Sequence, residues 1–205
     1  MIKALRRAGD RRRQSGGHHA WRFEPYAGSE VIALDCETTD LDPRQADLVA
    51  IAAVKVRDGR VLTSESLDLR LQRPDSLSSD SIRIHGLRGV DLLGGEALGD
   101  ALNTLLDFIG NRPLVGWCID YDVAVINRHL RPRTGFDLPN RTIDVCRLYA
   151  RERRRAQPDV EPDLRFEAMS EALGVPVMGR HTALGDAVTT ALMYLRLCRG
   201  QAASA

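Results

Sequence analysis

Two carboxylates stand at the end of an apolar run near the start of the chain. The run VIALDCE covers residues 31–37 and predicts a short buried strand that ends in Asp35 and Glu37. Side chains two residues apart in a strand point the same way, so both carboxylates face one side and Cys36 faces the other, toward the core. Carboxylates that project together repel each other unless a cation holds them or one is protonated. For this pair taken alone, a solvated strand end is the plainer interpretation.

Two further acids and a histidine stand where helices are predicted to begin. Asp122 comes just after the apolar run PLVGWCI, although an acid there also suits the helix dipole and Asp120 competes for the role. His181 and Asp186 are spaced H-x-x-x-x-D at the start of the last predicted helix. Gly185 weakens that helix, which indicates a close approach by another group. Taken alone, His181 is interpreted as a loop histidine.

Together, these positions could supply one catalytic site. Four carboxylates from three elements, converging on one end of a sheet, can hold two hard divalent cations. A neutral histidine beside them can take a proton from water. Thr38 and Thr39 follow the first pair and could offer hydroxyls and amides to a phosphate or a sugar. Turn formation explains them equally well, because Asp40, Asp42 and Pro43 are all turn formers.

Hydrophobic periodicity predicts the elements that position these residues. Three strands come first, and the pair Asp58-Gly59 predicts a hairpin between the second and the third. Helices then alternate with short strands. The strands are predicted at 31–37, 47–56, 60–71, 113–119 and 141–145, and the helices at 95–110, 122–130, 146–155, 165–174 and 181–198. The order predicts an α/β fold with a mixed five-stranded sheet, antiparallel in its first three strands, and helices packed on its faces.

The 205 residues suit one large domain preceded by an arm. Residues 1–29 lack sustained periodicity, apart from a short helix near residues 2–8, and are expected to lie at the periphery of the domain. The domain itself is predicted at 30–199, followed by a short tail at 200–205. The first 30 residues carry a net charge of +4, so the remainder carries about −3. Such a body is compatible with a carboxylate-lined site that needs cations to meet an anionic substrate.

Composition excludes several classes of protein. The hydrophobic content of 43% is ordinary for a globular domain, and no apolar run is long enough to span a membrane. The N-terminus lacks the apolar segment of a secretory signal peptide. The four cysteines lie far apart and form no C-x-x-C pair, which excludes a zinc knuckle and favours a reducing, cytoplasmic location.

Ordered motifs give the chain a family resemblance. VIALDCETTDLDP, LVGWCIDYDVAVIN and HTALGDA follow one another, and IRIHGL (82–87) lies between the first two. In these motifs, over roughly residues 30–198, the chain resembles the DEDDh, or DnaQ-like, 3′–5′ exonucleases, such as the exonuclease domain of the DNA polymerase III epsilon subunit. The resemblance implies a ribonuclease H-like fold with helices on both faces of the sheet.

The same resemblance implies a role for each motif residue. His181 would activate the attacking water, and Asp122 is favoured over Asp120 because the family's acid follows an aromatic residue, here Tyr121. Two divalent cations, Mg²⁺ or Mn²⁺, would be bound by Asp35, Glu37, Asp122 and Asp186.

Substrate contacts are expected around the first motif. Many members have His-Asn where this chain has Trp117 and Cys118, and a glycine where it has Asp40. These departures concern the substrate and leave the metal ligands intact. With an apolar residue expected near the terminal base and a histidine lining the same pocket, the predicted substrate-binding residues are Thr38, Thr39, Leu41 and His85.

The sequence therefore predicts a metal-dependent 3′–5′ exonuclease that releases nucleoside 5′-monophosphates from a nucleic-acid 3′ end, with single-stranded DNA favoured. The alternatives are an RNA-trimming exoribonuclease or oligoribonuclease, and a binding module that has the fold without turnover. A stand-alone, proofreading-like enzyme is expected, because no polymerase-binding tail is evident. The oligomeric state is left open.

Overall fold

The computed structural model describes residues 2–202 and contains one mixed sheet of five strands in the order β3-β2-β1-β4-β5. β1 pairs antiparallel with β2, and β2 pairs antiparallel with β3, whereas β4 runs parallel to both β1 and β5. This confirms the predicted mixed sheet. The strands are β1 (Val31–Thr38), β2 (Leu48–Arg57), β3 (Arg60–Arg70), β4 (Leu114–Gly116) and β5 (Thr142–Asp144).

Helices surround the sheet, and two short 3-10 turns lie at Ala20–Phe23 and Gly89–Leu92. Within residues 2–202, none of the helices combines the length and apolarity needed to cross a membrane. The helices are α1 (Ile2–Gln14), α2 (Ser79–His85), α3 (Leu98–Ile109), α4 (Asp120–Thr134), α5 (Val145–Ala156), α6 (Phe166–Leu173) and α7 (Ala183–Ala202).

The central strand β1 divides the core into two halves. Ile32, Leu34 and Cys36 pack in one buried cluster with residues of α3 and α4. Val31 and Ala33 point the other way and pack with residues of α5, α6 and α7. Helices therefore cover both faces, and Cys36 lies in the core as its alternation with Asp35 and Glu37 predicts.

The predicted hairpin is present, with Asp58 at φ 51° and Gly59 at φ 71°, the positive values that a two-residue turn requires. The predicted strand over 113–119 is wrong beyond Gly116, because the backbone turns at Cys118, whose φ of 57° is incompatible with a strand.

One predicted helix ends later than expected, and one helix was not predicted. α4 continues past Pro132 to Thr134, because the proline stands in the last turn and the helix then ends on Gly135 at φ 78°. The helix α2, which the sequence analysis leaves unassigned, begins with a capping box between Ser78 and Ser81.

The arm is more extensive and more deeply packed than predicted. Its helix runs from residue 2 to residue 14 instead of ending near residue 8. Asp10, 1% exposed, pairs with Arg13 of the same helix and anchors the helix by its ion pair with Arg131. Arg22 is buried and donates to the carbonyl of Leu106, while Phe23, 2% exposed, belongs to the core cluster. The expectation of a wholly peripheral arm is therefore wrong, because these side chains complete the core.

The division of the chain at residue 29 stays a prediction. At the other end, α7 continues to Ala202, and residues 203–205 of the predicted tail lie outside the described residues.

Candidate active site

The register of β1 places Asp35 and Glu37 together at its C-terminal end, on the face that α7 covers. Opposite them in β2 stand Ala52 and Ala50, whose small side chains leave room above the sheet. The β1–β2 pairing shifts register between Glu37 and Thr38, so the regular strand ends immediately after the second carboxylate. Both acids therefore lie at the C-terminal end of the central strand, on the face where α7 packs.

Asp186 joins this pair from the first turn of α7. Carboxylate oxygens of Asp35, Glu37 and Asp186 all lie within 4.8 Å of one another. The Oδ2 atom of Asp186 accepts hydrogen bonds from the Arg180 guanidinium and from the backbone N–H of His181. Its Oδ1 atom is buried and has no hydrogen-bond partner among the described residues. A buried carboxylate oxygen without a partner is a ligand position for a cation.

Asp122 approaches Asp35 from the first turn of α4. It is 5% exposed, and its Oδ1 accepts the backbone N–H of Cys36 at 3.0 Å. Its charge raises the pKa of Asp35, although Asp122 is not part of the 4.8 Å group in the described chain. The competing Asp120 lies at the rim, where it pairs with Arg147 at 2.7 Å. Of the two acids, Asp122 is thus the one beside the carboxylate group.

Burial and mutual repulsion disfavour ionisation of these acids. Burial first, and then the charges of its neighbours, raise the pKa of Asp35 well above its usual value. Burial and Asp186 raise the pKa of Glu37 to about 7, while Arg180 opposes the shift. Burial raises the pKa of Asp122 to about 8, and burial also raises that of Asp186. At neutral pH the group therefore needs either protons or additional positive charge.

The donor set fits hard divalent cations. Its atoms are all carboxylate oxygens, the ligands that Mg²⁺ and Mn²⁺ prefer, and they come from three separate elements of a rigid fold. The unpartnered Oδ1 of Asp186 and the raised pKa values of Asp35 and Glu37 point to the same conclusion.

His181 lies in the turn that leads into α7. Its φ of 62° is left-handed, which is uncommon for a residue with a side chain, and its imidazole is exposed beside the carboxylate group. The turn packs so closely on the helix that a Cβ at Gly185 would collide with the carbonyls of Met178 and Gly179. This is the close approach that the sequence analysis inferred from Gly185.

The predicted substrate-binding residues differ in their availability. Leu41 is 82% exposed, and Thr38 contacts the Tyr121 hydroxyl at 2.6 Å. Thr39 is buried, and its hydroxyl is occupied by the Asp47 amide and Ser76. The hydroxyl of Thr39 is therefore engaged within the loop.

The last of the four, His85, is 5% exposed at the end of α2. Its Nδ1 accepts the Leu87 amide, and its buried Nε2 has no partner among the described residues. Leu87 packs with Ala50, Ala52 and Ala183, which adjoin the carboxylates, so the end of α2 borders the site.

Two residues that the sequence analysis did not select also shape the site. Arg180 is the cation nearest the acids, held by Glu167 at 2.6 Å and by the ring of Phe166 at 4.3 Å. The sequence feature that could have identified Arg180 is its position directly before His181. Tyr121 donates to the Asp40 carbonyl and so ties the loop after β1 to α4.

Comparison with known proteins identifies relatives of this chain. A family model described as Exonuclease (RNase_T) matches residues 32–194. The DNA polymerase III subunit epsilon-like protein of Rhodobacter capsulatus is 29% identical over 186 residues, which is 89% of this chain but only 25% of that protein. The DNA polymerase III subunit epsilon of Aquifex aeolicus is 24% identical, with 81% of this chain and 79% of that protein covered.

Solved structures share the fold. Cell-death related nuclease 4 (CRN-4) has a TM-score of 0.72 at 14% identity, with 84% of this chain and 64% of that chain covered. E. coli exonuclease I, in complex with a dT13 oligonucleotide, has a TM-score of 0.68 at 17% identity over 85% of this chain and 43% of that one. These similarities confirm the predicted ribonuclease H-like fold.

The raised pKa values predict a pH-dependent gain in stability for Asp35→Asn in metal-free buffer. The folded protein holds protons on these acids that the unfolded chain releases, so their ionisation destabilises the fold as the pH rises from about 4 to about 8. The variant removes part of that penalty. Its Tm should exceed that of the parent at about pH 8 and match it near pH 4. The exposed Asp159→Asn is the control; an equal gain from it, or none from Asp35→Asn, contradicts the interpretation.

Proposed function

Because the chain belongs to the exonuclease family whose model covers residues 32–194, we propose that it removes nucleotides from the 3′ end of single-stranded DNA and releases nucleoside 5′-monophosphates. One observation carries the proposal: Asp35, Glu37 and Asp186 converge within 4.8 Å, with Asp122 against the first of them. Nuclease chemistry follows from the family. The 3′–5′ direction, the substrate and the number of metal ions are what we propose here beyond the family's nuclease activity.

The four acids would hold two divalent cations, Mg²⁺ or Mn²⁺. When bound, such ions polarise the scissile phosphate, lower the pKa of an attacking water and stabilise charge on the leaving 3′ oxygen. Asp35 and Glu37 offer oxygens from a rigid central strand, while Asp186 offers an oxygen that nothing else in the described chain binds. Asp122 is oriented by the Cys36 amide, so its position does not depend on the ligand.

His181 would act as the general base. Its main-chain N–H bonds to Asp186, which fixes the backbone of His181 beside the carboxylate group, and its side chain is open to solvent. As a neutral imidazole it can take a proton from the attacking water and pass it to bulk solvent.

The residues around the first motif suit a strand end. Leu41 presents an exposed apolar side chain on which a terminal base can pack, and His85 would line the same pocket from the end of α2, which borders the site. DNA is favoured because the sequence relatives are DNA polymerase III subunits and because the neighbour exonuclease I is seen with DNA. RNA is the alternative substrate.

End-labelled oligonucleotides test direction and substrate together. With Mg²⁺ or Mn²⁺, a 5′-labelled single strand should shorten progressively, and a 3′-labelled strand should release its label at once as a mononucleotide. Chelation or Asp35→Asn should abolish both results, whereas Asp159→Asn should leave them unchanged. Early release of a 5′-terminal mononucleotide would overturn the direction, and faster cleavage of the matching RNA would overturn the substrate.

A variant of His181 separates a base from a ligand. His181→Ala should lower the turnover rate by roughly a hundredfold to ten-thousandfold, the range for loss of a positioned general base. Its Mn²⁺ affinity, measured by calorimetry, should change little because the imidazole is not a proposed ligand. The control is His18→Ala in the arm. Collapse of Mn²⁺ binding in a folded variant would make His181 a ligand, and an unchanged rate would leave it without a catalytic role.

A further inference from the structure

A stripe of arginines runs along the solvent face of α5. Its members bound a groove of about 520 Å³, together with Cys146, Ala150 and Leu164. All four charged residues that line this groove, in the described part of the chain, are arginines. We call them the α5 stripe: Arg147, Arg151, Arg154 and Arg155.

The helical period separates this stripe from the core. Val145, Cys146, Tyr149 and Ala150 are buried in the cluster that α7 shares, so arginines at spacings of four, three and one fall on the opposite side. Within the described residues, two of the arginines have acidic partners. Arg147 pairs with Asp120 and Arg154 pairs with Glu161.

The other two stripe members hold uncompensated charge. Neither Arg151 nor Arg155 forms an ion pair with any described residue, and both are exposed. Exposed guanidinium groups that form no ion pair attract phosphate oxygens and can bind them through two hydrogen bonds at once.

A continuous set of contacts joins the groove to the carboxylate group. Arg180, which pairs with Asp186, lies over the ring of Phe166, and that ring meets Trp117 edge-on at 5.7 Å. The indole N–H of Trp117 donates to the carbonyl of Leu164, a residue of the groove wall. The wall of the groove is therefore linked to the proposed site through Trp117, Phe166 and Arg180.

A larger groove of about 910 Å³, between the arm and α4, is a weaker candidate. It contains five arginines, but four of them are paired with acids, and three aspartates also line it. Those pairs are Arg6 with Asp137, Arg44 with Asp42, Arg128 with Asp47, and Arg131 with both Asp10 and Asp137. Most of the arginine charge in this groove is thus neutralised within the protein.

We propose that the α5 stripe binds the phosphodiester backbone of a single strand upstream of its 3′ end, and so holds the strand while the terminal nucleotide occupies the carboxylate site. The assignment of the 3′ end rests on the proposed function. From Arg147 to Arg155 the helix rises about 12 Å, which matches three or four phosphates at the roughly 3.4 Å spacing of a stacked strand. Contact with the backbone alone makes this binding independent of sequence.

The double variant Arg151→Ala/Arg155→Ala tests the stripe. The matched control is Arg60→Ala/Arg70→Ala, which removes the same charge from exposed positions on β3, the opposite edge of the sheet. Binding of a fluorescent single strand of about 12 nucleotides is measured by anisotropy in chelator, so that no cleavage occurs. A second measurement compares cleavage of this strand with that of the p-nitrophenyl ester of thymidine 5′-monophosphate, which is too short to reach the stripe.

The stripe variant should bind the strand roughly tenfold more weakly, the size expected for two exposed charge contacts. The slope of log Kd against log salt should fall by about 1.4, because each phosphate that the arginines no longer neutralise contributes about 0.7 to that slope. Its kcat/KM should fall for the strand and stay unchanged for the ester, while the β3 variant should match the parent throughout.

Unchanged strand affinity and salt slope in the stripe variant would overturn the proposal. Displacement of the strand by poly-glutamate at equal charge would also overturn it, because the stripe would then be a surface for acidic proteins. If the parent cleaves neither substrate but the stripe variant still binds the strand more weakly, the proposed function fails and the strand-binding surface stands.

Discussion

The structure depends on the crowding of buried carboxylates at the end of β1. Asp35, Glu37 and Asp186 bring their oxygens within 4.8 Å of one another, Asp122 stands beside them, and Arg180 pairs with Asp186. A fold would gain stability by losing such a group, so its charge must be offset by retained protons or by additional positive charge. The surrounding architecture keeps these acids together despite their repulsion.

The strand β1 both packs into the core and positions two of the acids. Alternation along β1 sends Ile32 and Leu34 into the core against α3 and α4, while Asp35 and Glu37 emerge on the α7 face, where Ala50 and Ala52 leave them space. The core fixes the strand and the strand fixes the acids. The other two acids, Asp122 and Asp186, come from the first turns of helices, which the same core also holds in place.

Sequence patterns predicted those elements that depend on interactions between residues close in the chain. The run at 31–37 and the Asp58-Gly59 turn specify strands and a hairpin through neighbouring residues, and both were predicted. Ordered motifs supplied the proposed metal ligands. Packing between residues distant in the chain could not be predicted. No residue near Phe23 indicates that its side chain completes a core built from α3 and α4, so the arm was expected to lie at the periphery.

The distribution of charge shows the same limit. The sequence indicates a basic arm, and two of its arginines pair with acids distant in the chain, Arg6 with Asp137 and Arg22 with Asp107. Exposed arginines without an ion pair also lie on α5, at Arg151 and Arg155, which the sequence analysis did not select. The net charge of a segment follows from its composition alone. The ion pairs of the folded chain are needed to show which charged side chains are free to bind a ligand.

Proton release on metal binding tests the central claim most directly. A cation that binds these acids must displace the protons that burial and repulsion retain, and the pKa values of about 7 for Glu37 and about 8 for Asp122 indicate partial protonation at neutral pH. Calorimetric titration of the metal-free protein with Mn²⁺, in two buffers of different ionisation enthalpy, counts these protons. The account predicts release of more than one proton per protein at about pH 7. Binding without proton release, or no binding of Mn²⁺, would contradict it.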